Sequence, residues 1–169
     1  MNHSEMTALL HKEIVPVTGC TGPTAYALAA AACRRYLTGS IKSINVYVSP
    51  AYLKMGFGVA TPGTSDTGIE IATAAGLIGG DPDAGMQVLR HTTAEHMEQA
   101  AKMCCQHIIS VHSAQGEKGV YVRTEVETER ETVTAVVSHT HDGLRLIQVN
   151  GNDVFWTDHA EEEDRKSVV

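Results

Sequence analysis

The sequence predicts an α+β fold, with short helices packed on a mainly antiparallel sheet. Three observations point there. Apolar residues recur at helical spacing through most of the first 107 residues, the period changes to two from residue 108 onward, and the early stretch 41–48 alternates as a half-buried strand does. With 169 residues and 43% hydrophobic content the chain can bury a real core, read as one domain over 1–157 with a charged tail over 158–169. Only 5% of residues are aromatic, so Ala, Val, Ile and Leu must form most of that core.

Each element has a local cause. Met6, Leu9, Leu10 and Ile14 sit at helical spacing over 3–14, and Pro16 ends the pattern. Alanine dominates 24–37, which gives high helix propensity and little bulk, so a neighbouring backbone can come close. Gly39-Ser40 stops that helix before the strand over 41–48, and Ser49-Pro50 closes the strand. The stretch 53–68 is too rich in Gly, Thr and Pro to be regular throughout and reads as a loop, delivered to a helix over 69–78. Asp81-Pro82-Asp83 caps a short helix to about residue 90, and Thr92 or Thr93 caps another to about 107. Strands follow over 108–112, 119–128, 132–138 and 144–149, with Asn150-Gly151 as a hairpin turn into Asp153-Val154-Phe155-Trp156. An antiparallel meander is the expected result.

Composition excludes several functions. A net charge of −7 with no Lys/Arg run argues against a nucleic-acid groove or an anionic membrane surface. No apolar run reaches the length that spans a bilayer, and the polar start Met1-Asn2-His3-Ser4-Glu5 lacks the order of a signal peptide, so a cytosolic protein is expected. Cys20, Cys33, Cys104 and Cys105 show no disulfide framework and read as reduced thiols or metal ligands. Cys33 fits a small core side chain. Cys104 and Cys105 are adjacent on a helix and poorly placed to hold one ion together.

Chemistry concentrates at Val17-Thr18-Gly19-Cys20-Thr21-Gly22-Pro23-Thr24. Glycines at 19 and 22 allow a tight turn and Pro23 suits a first helical position, which places Cys20 at a helix N-terminus. Free amide hydrogens and the helix dipole favour a thiolate there, the form that attacks electrophiles or binds metal. A buried turn cysteine without chemistry is the alternative. The 53–68 loop can likewise cradle a carboxylate or phosphate with Lys54 supplying charge, or can serve as a plain connection. Ser138-His139-Thr140-His141-Asp142-Gly143 is either a polar turn or a cluster of donors and ligands.

Taken in order, Glu13-Ile14-Val15-Pro16-Val17-Thr18-Gly19-Cys20-Thr21-Gly22-Pro23, Val48-Ser49-Pro50, Lys54-Met55-Gly56-Phe57-Gly58-Val59, Pro62-Gly63-Thr64, Gly79-Gly80-Asp81-Pro82-Asp83-Ala84-Gly85 and Ser138-His139-Thr140 resemble one family. It is the L-cysteine desulfidase family, related to the iron–sulfur L-serine dehydratase α chain, and this chain resembles its N-terminal part. The resemblance implies a cytosolic lyase that eliminates the β-substituent of a small amino acid to give pyruvate and ammonia, using a [4Fe-4S] cluster held by three cysteines. It implies Cys20 as a metal ligand, Lys54 and His139 as catalytic groups, and Thr21, Ser49, Gly63, Thr64 and Thr140 as substrate-binding groups. Gly22, Met55 and His141 depart from the family's pattern, and Cys33, Cys104 and Cys105 do not occupy matching cluster positions. The implied partner is therefore a second subunit resembling the missing C-terminal half, with homo-oligomer formation open and neither nucleic acid nor membrane involved. Two other readings remain: a non-catalytic binding or assembly module on the same fold, and a cysteine-nucleophile enzyme pairing Cys20 with His139.

Overall fold

A computed structural model describes Ser4, Met6, Thr7 and residues 20–157. Most of the helix expected over 3–14, the 17–19 part of the turn and the 158–169 tail lie outside the described residues.

The alanine run forms α1 (Thr21–Arg34), and every residue from Pro23 to Cys33 is buried. Alanine makes this possible, because only a slim helix can be packed on all sides. The remaining helices are α2 (Pro50–Gly56), α3 (Ile69–Gly79) and α4 (Ala94–Cys105), with a 3₁₀ segment over Pro82–Gln87. The strands are β1 (Ile41–Val48), β2 (Ile109–Ser113), β3 (Tyr121–Thr128), β4 (Thr132–Ser138), β5 (Leu144–Val149) and β6 (Asn152–Trp156). They form one sheet in the order β2-β1-β3-β4-β5-β6, antiparallel except where β1 pairs parallel with β2. The α+β class is as expected.

Three details differ from expectation. The strand at 109–113 does not join the meander; it lies parallel to β1 on the far edge, so α2, α3 and α4 form the crossover between them. Pairing partners that distant in sequence leave no local trace. The loop over 53–68 begins inside α2, because the Ser49 hydroxyl caps the helix by accepting from the Tyr52 N–H at 3.4 Å and Pro50 fits its first position. Helix α1 starts at Thr21, so Gly22 and Pro23 lie within its first turn; a Cβ at 22 would meet only the Val59 side chain, at an ordinary 3.9 Å.

The core lies between α1 and the inner sheet face, where Ile44, Val46, Val48, Val122, Val126, Val133, Ala135 and Val137 are fully buried. On its other side α1 meets α3 at very short range: a Cβ on Gly76 would fall 2.1 Å from the Ala27 carbonyl oxygen. One turn further on, Gly80 stands against Ala31, so the two helices run side by side in the same direction. The 3₁₀ segment flanks α1, tied by an ion pair between Arg35 and Asp83, and its Gly85 reaches Asp142 in the β4–β5 turn. The hairpin turn Asn150-Gly151 has positive φ at both residues, 52° and 78°, as a two-residue β-turn of that sequence requires. Among the described residues no helix is long and apolar enough to cross a membrane.

Candidate functional site

Cys20 is exposed at the N-cap of α1, with extended backbone (φ −76°, ψ 143°) and no side-chain cap bond. Its thiol is therefore not used up in closing the helix. Six residues along α1, Tyr26 turns its hydroxyl to donate to the Tyr52 carbonyl at 2.9 Å, and the two rings meet edge to face with centroids 5.9 Å apart. That bond anchors α2 beside the start of α1.

Tyr52 is only 3% exposed, yet its hydroxyl has no hydrogen-bond partner among the described residues, as is also true of the Thr61 and Thr124 hydroxyls. Its neighbours set it apart. The His141 ring lies 5.9 Å from the Tyr52 ring, and negative charge at the Cys20 position disfavours ionisation of both tyrosines. Burial first, then that charge, pushes the Tyr52 phenol up to about 12; Tyr26 is raised further by burial, Tyr52 and Cys20 in that order. Burial lowers the His141 imidazole below its ordinary value against the opposing pull of Asp142, which favours the neutral ring. A protonated phenol and a neutral imidazole thus meet ring to ring, with Cys20 near enough for its charge to act on the phenol. Exposed Met55 and Phe57 flank them on α2 and just beyond it.

The residues singled out in the sequence spread more widely. Thr21 is half-buried as the first residue of α1. Ser49 is fully buried, and its hydroxyl donates to the Gly119 carbonyl at 2.7 Å while capping α2, so it holds the helix to the sheet. Lys54 is exposed in the last turn of α2. Gly63 packs toward Met97 of α4, and the Thr64 hydroxyl is engaged with Asp66, so this end of the loop belongs to the α4 side. His139 is exposed with a left-handed backbone (φ 71°) and points along β5, where Arg145 donates to its Nδ1 at 3.0 Å. Thr140 is exposed in the same turn, its hydroxyl lying over Gly143. Of the turn's two histidines it is His141, not His139, that faces Tyr52. Tyr52 and His141 were not singled out as site residues, because a tyrosine two positions after Ser-Pro reads as helix core and a turn histidine carries no spacing signal.

The other thiols are elsewhere. Cys33 Sγ lies 3.6 and 3.7 Å from the Thr124 and Val133 carbonyl oxygens under α1, and burial raises it strongly. Cys104, pushed up to about 11 mainly by burial, lines with Cys105, Asp66 and Glu70 a cleft of about 480 Å³ whose lining includes neither Cys20 nor Tyr52. Among the described residues there is no group of three His, Cys, Asp or Glu side chains that could hold a metal ion. The donors therefore fit one corner of a cluster at Cys20 and not a complete cluster.

Fold and site together define a class: an α+β protein with an open, mainly antiparallel sheet, a cysteine at a helix start and a buried tyrosine packed against a histidine. No family profile matches the chain. It is 41% identical over 147 residues to a UPF0597 protein of Oleidesulfovibrio alaskensis, 38% over 148 residues to one of Actinobacillus pleuropneumoniae, and 31% over 158 residues to one of Clostridium botulinum. These alignments take in 87%, 88% and 94% of the chain but only 34%, 34% and 36% of the relatives, so the chain spans about a third of the length of the proteins it matches. The family assignment drawn from the sequence motifs is thereby corrected: these relatives are named UPF0597 proteins, and none is named a cysteine desulfidase or a serine dehydratase.

Proposed function

We propose that this chain forms the Cys20-bearing part of a cytosolic lyase that removes the β-substituent of a small amino acid such as L-cysteine or L-serine, giving pyruvate and ammonia. The reaction and substrates are those that the motif resemblance implies, and side chains near Cys20 support them. The observation that carries it is the ring contact between a half-buried neutral imidazole and a buried phenol that has no partner among the described residues, with Cys20 near enough to act on that phenol.

β-Elimination needs a base for the α-proton and a group that helps sulfide or hydroxide depart. His141, kept neutral by burial, suits the first task. Tyr52, kept protonated, suits the second by donating its hydroxyl to the departing atom once substrate binding uncovers that hydroxyl, which is buried in this structure. The positive end of α1 suits the substrate carboxylate, with Lys54, exposed in the last turn of α2, adding positive charge. Loss of the α-proton and of HS⁻ or HO⁻ leaves 2-aminoacrylate. Tautomerisation and addition of water then release ammonia and pyruvate.

Cys20 would supply one ligand of a [4Fe-4S] cluster whose other thiolates come from a second subunit or from polypeptide beyond this stretch. Such a cluster, when bound, supplies an open iron as Lewis acid. The test is anaerobic iron and sulfide reconstitution of the chain co-expressed with the remainder of a relative, followed by assay of pyruvate from L-cysteine and L-serine. A brown complex that forms pyruvate, and loses at least 100-fold in kcat on His141→Gln, is expected. A colourless complex, or one without turnover, refutes the proposal.

A further inference from the structure

The sheet has a second face, turned away from α1, and it carries an unusual row. Cross-strand register places His112, Tyr47, Arg123, Val136, Leu146 and Trp156 side by side across all six strands. Arg123 lies 4.0 Å over the Tyr47 ring, and His112 stacks on the same ring at 4.9 Å, so this end of the row is ordered. Trp156 at the other end is 62% exposed, while Phe155, paired with the buried Ile147, belongs to the inner face. The neighbouring row on the same face, through Asn45, Glu125, Thr134 and Gln148, is polar.

A solvated antiparallel face is ordinarily polar throughout. Here an apolar and aromatic stripe is bordered by a polar one, which is how a protein interface is built. A sheet normally has both faces covered by further layers when its strands carry apolar groups on both sides. The inner face has α1. The relatives carry about twice as much polypeptide again outside the matched stretch, since the match takes in only 34% of the Oleidesulfovibrio alaskensis protein.

We infer that the outer sheet face, centred on Tyr47, Leu146 and Trp156, is the docking surface for that additional polypeptide. The occupant has an apolar patch for Leu146 and Trp156, and a carboxylate or carbonyl group for Arg123. The inference does not depend on the lyase reading: a complex docked here that forms no pyruvate would sink that reading and leave this one intact.

Trp156 is the only tryptophan in the chain and reports on the surface directly. The chain is co-expressed with a tagged polypeptide made of the part of the Oleidesulfovibrio alaskensis relative outside the match, and acrylamide quenching is measured with Trp156→Phe as the blank. The expected result is a complex stable through gel filtration, a several-fold drop in Trp156 quenching, and at least 10-fold weaker binding for Leu146→Glu at unchanged far-ultraviolet circular dichroism. Lys102→Glu, on the exposed side of α4, should bind as the unaltered chain does. Three results would overturn the inference: no complex, a complex in which Trp156 is quenched as in the free chain, or protection of Trp156 by self-association without the added polypeptide.

Discussion

Tyr52 carries a contradiction within one side chain: it is among the most buried residues near the site, yet its hydroxyl finds no partner among the described residues. A buried hydroxyl left in that state costs about 1–3 kcal/mol. Tyr52→Phe is therefore expected to leave the melting temperature unchanged or to raise it, while lowering turnover of the assembled protein at least 100-fold; a drop in stability without loss of turnover would make Tyr52 a packing residue. His141 gives a second outcome at this scale. Its native value lies below the ordinary 6.5, so the unfolded chain takes up the proton first as the solution is acidified. The stability it contributes is complete above about pH 6.5 and falls as pH drops toward the lowered native value. Melting curves recorded from pH 8 to 5 should show that decline flattened by His141→Gln. Cys20 could be picked out from sequence because a glycine-flanked cysteine opens an alanine run, whereas Tyr52 and His141 become visible only when α2 and the β4–β5 turn are brought to the same helix mouth. His139 carries the opposite lesson: it stands two residues away from His141, but its left-handed backbone sends it toward Arg145.

Local periodicity decides elements well, and long-range pairing is where it stops. Strands β1, β4 and β5 run over the residues expected, since alternation and flanking Gly, Pro or Asn mark both ends. The capped start of α4 is also as expected: Thr93 accepts from the His96 N–H at 3.2 Å while His96 returns a bond to the Thr93 N–H. Thr93→Ala should destabilise the protein by about 1 kcal/mol, read from denaturant midpoints at constant slope. The parallel placement of β2 beside β1 was not legible, because the edge it occupies is chosen by the crossover helices and not by its own five residues. Helix α3 offers the sharpest stability test. Gly76 lies against the Ala27 backbone, which cannot yield as a side-chain end can, so Gly76→Ala is expected to cost at least about 1–3 kcal/mol despite its better helix propensity. An unchanged midpoint would mean that α1 and α3 do not cross at this point.

At the scale of the whole molecule, two features fit a part of a larger assembly. The described residues include no group of three metal-ligating side chains, of which the proposed cluster would need more than Cys20, and the outer sheet face carries a row that ends in the exposed Trp156. The fold class was legible because, the strand over 41–48 apart, helical periods precede residue 108 and twofold periods follow it. What lies over the sheet was not, since exposure of a stripe depends on register across six strands. The central claim concerns which sulfur works. Pyruvate formation by the reconstituted complex should therefore be compared across Cys20→Ser, Cys33→Ala, Cys104→Ser and Cys105→Ser. Loss of turnover and of bound iron confined to Cys20→Ser is the result expected; turnover by Cys20→Ser equal to that of the unaltered complex would contradict it.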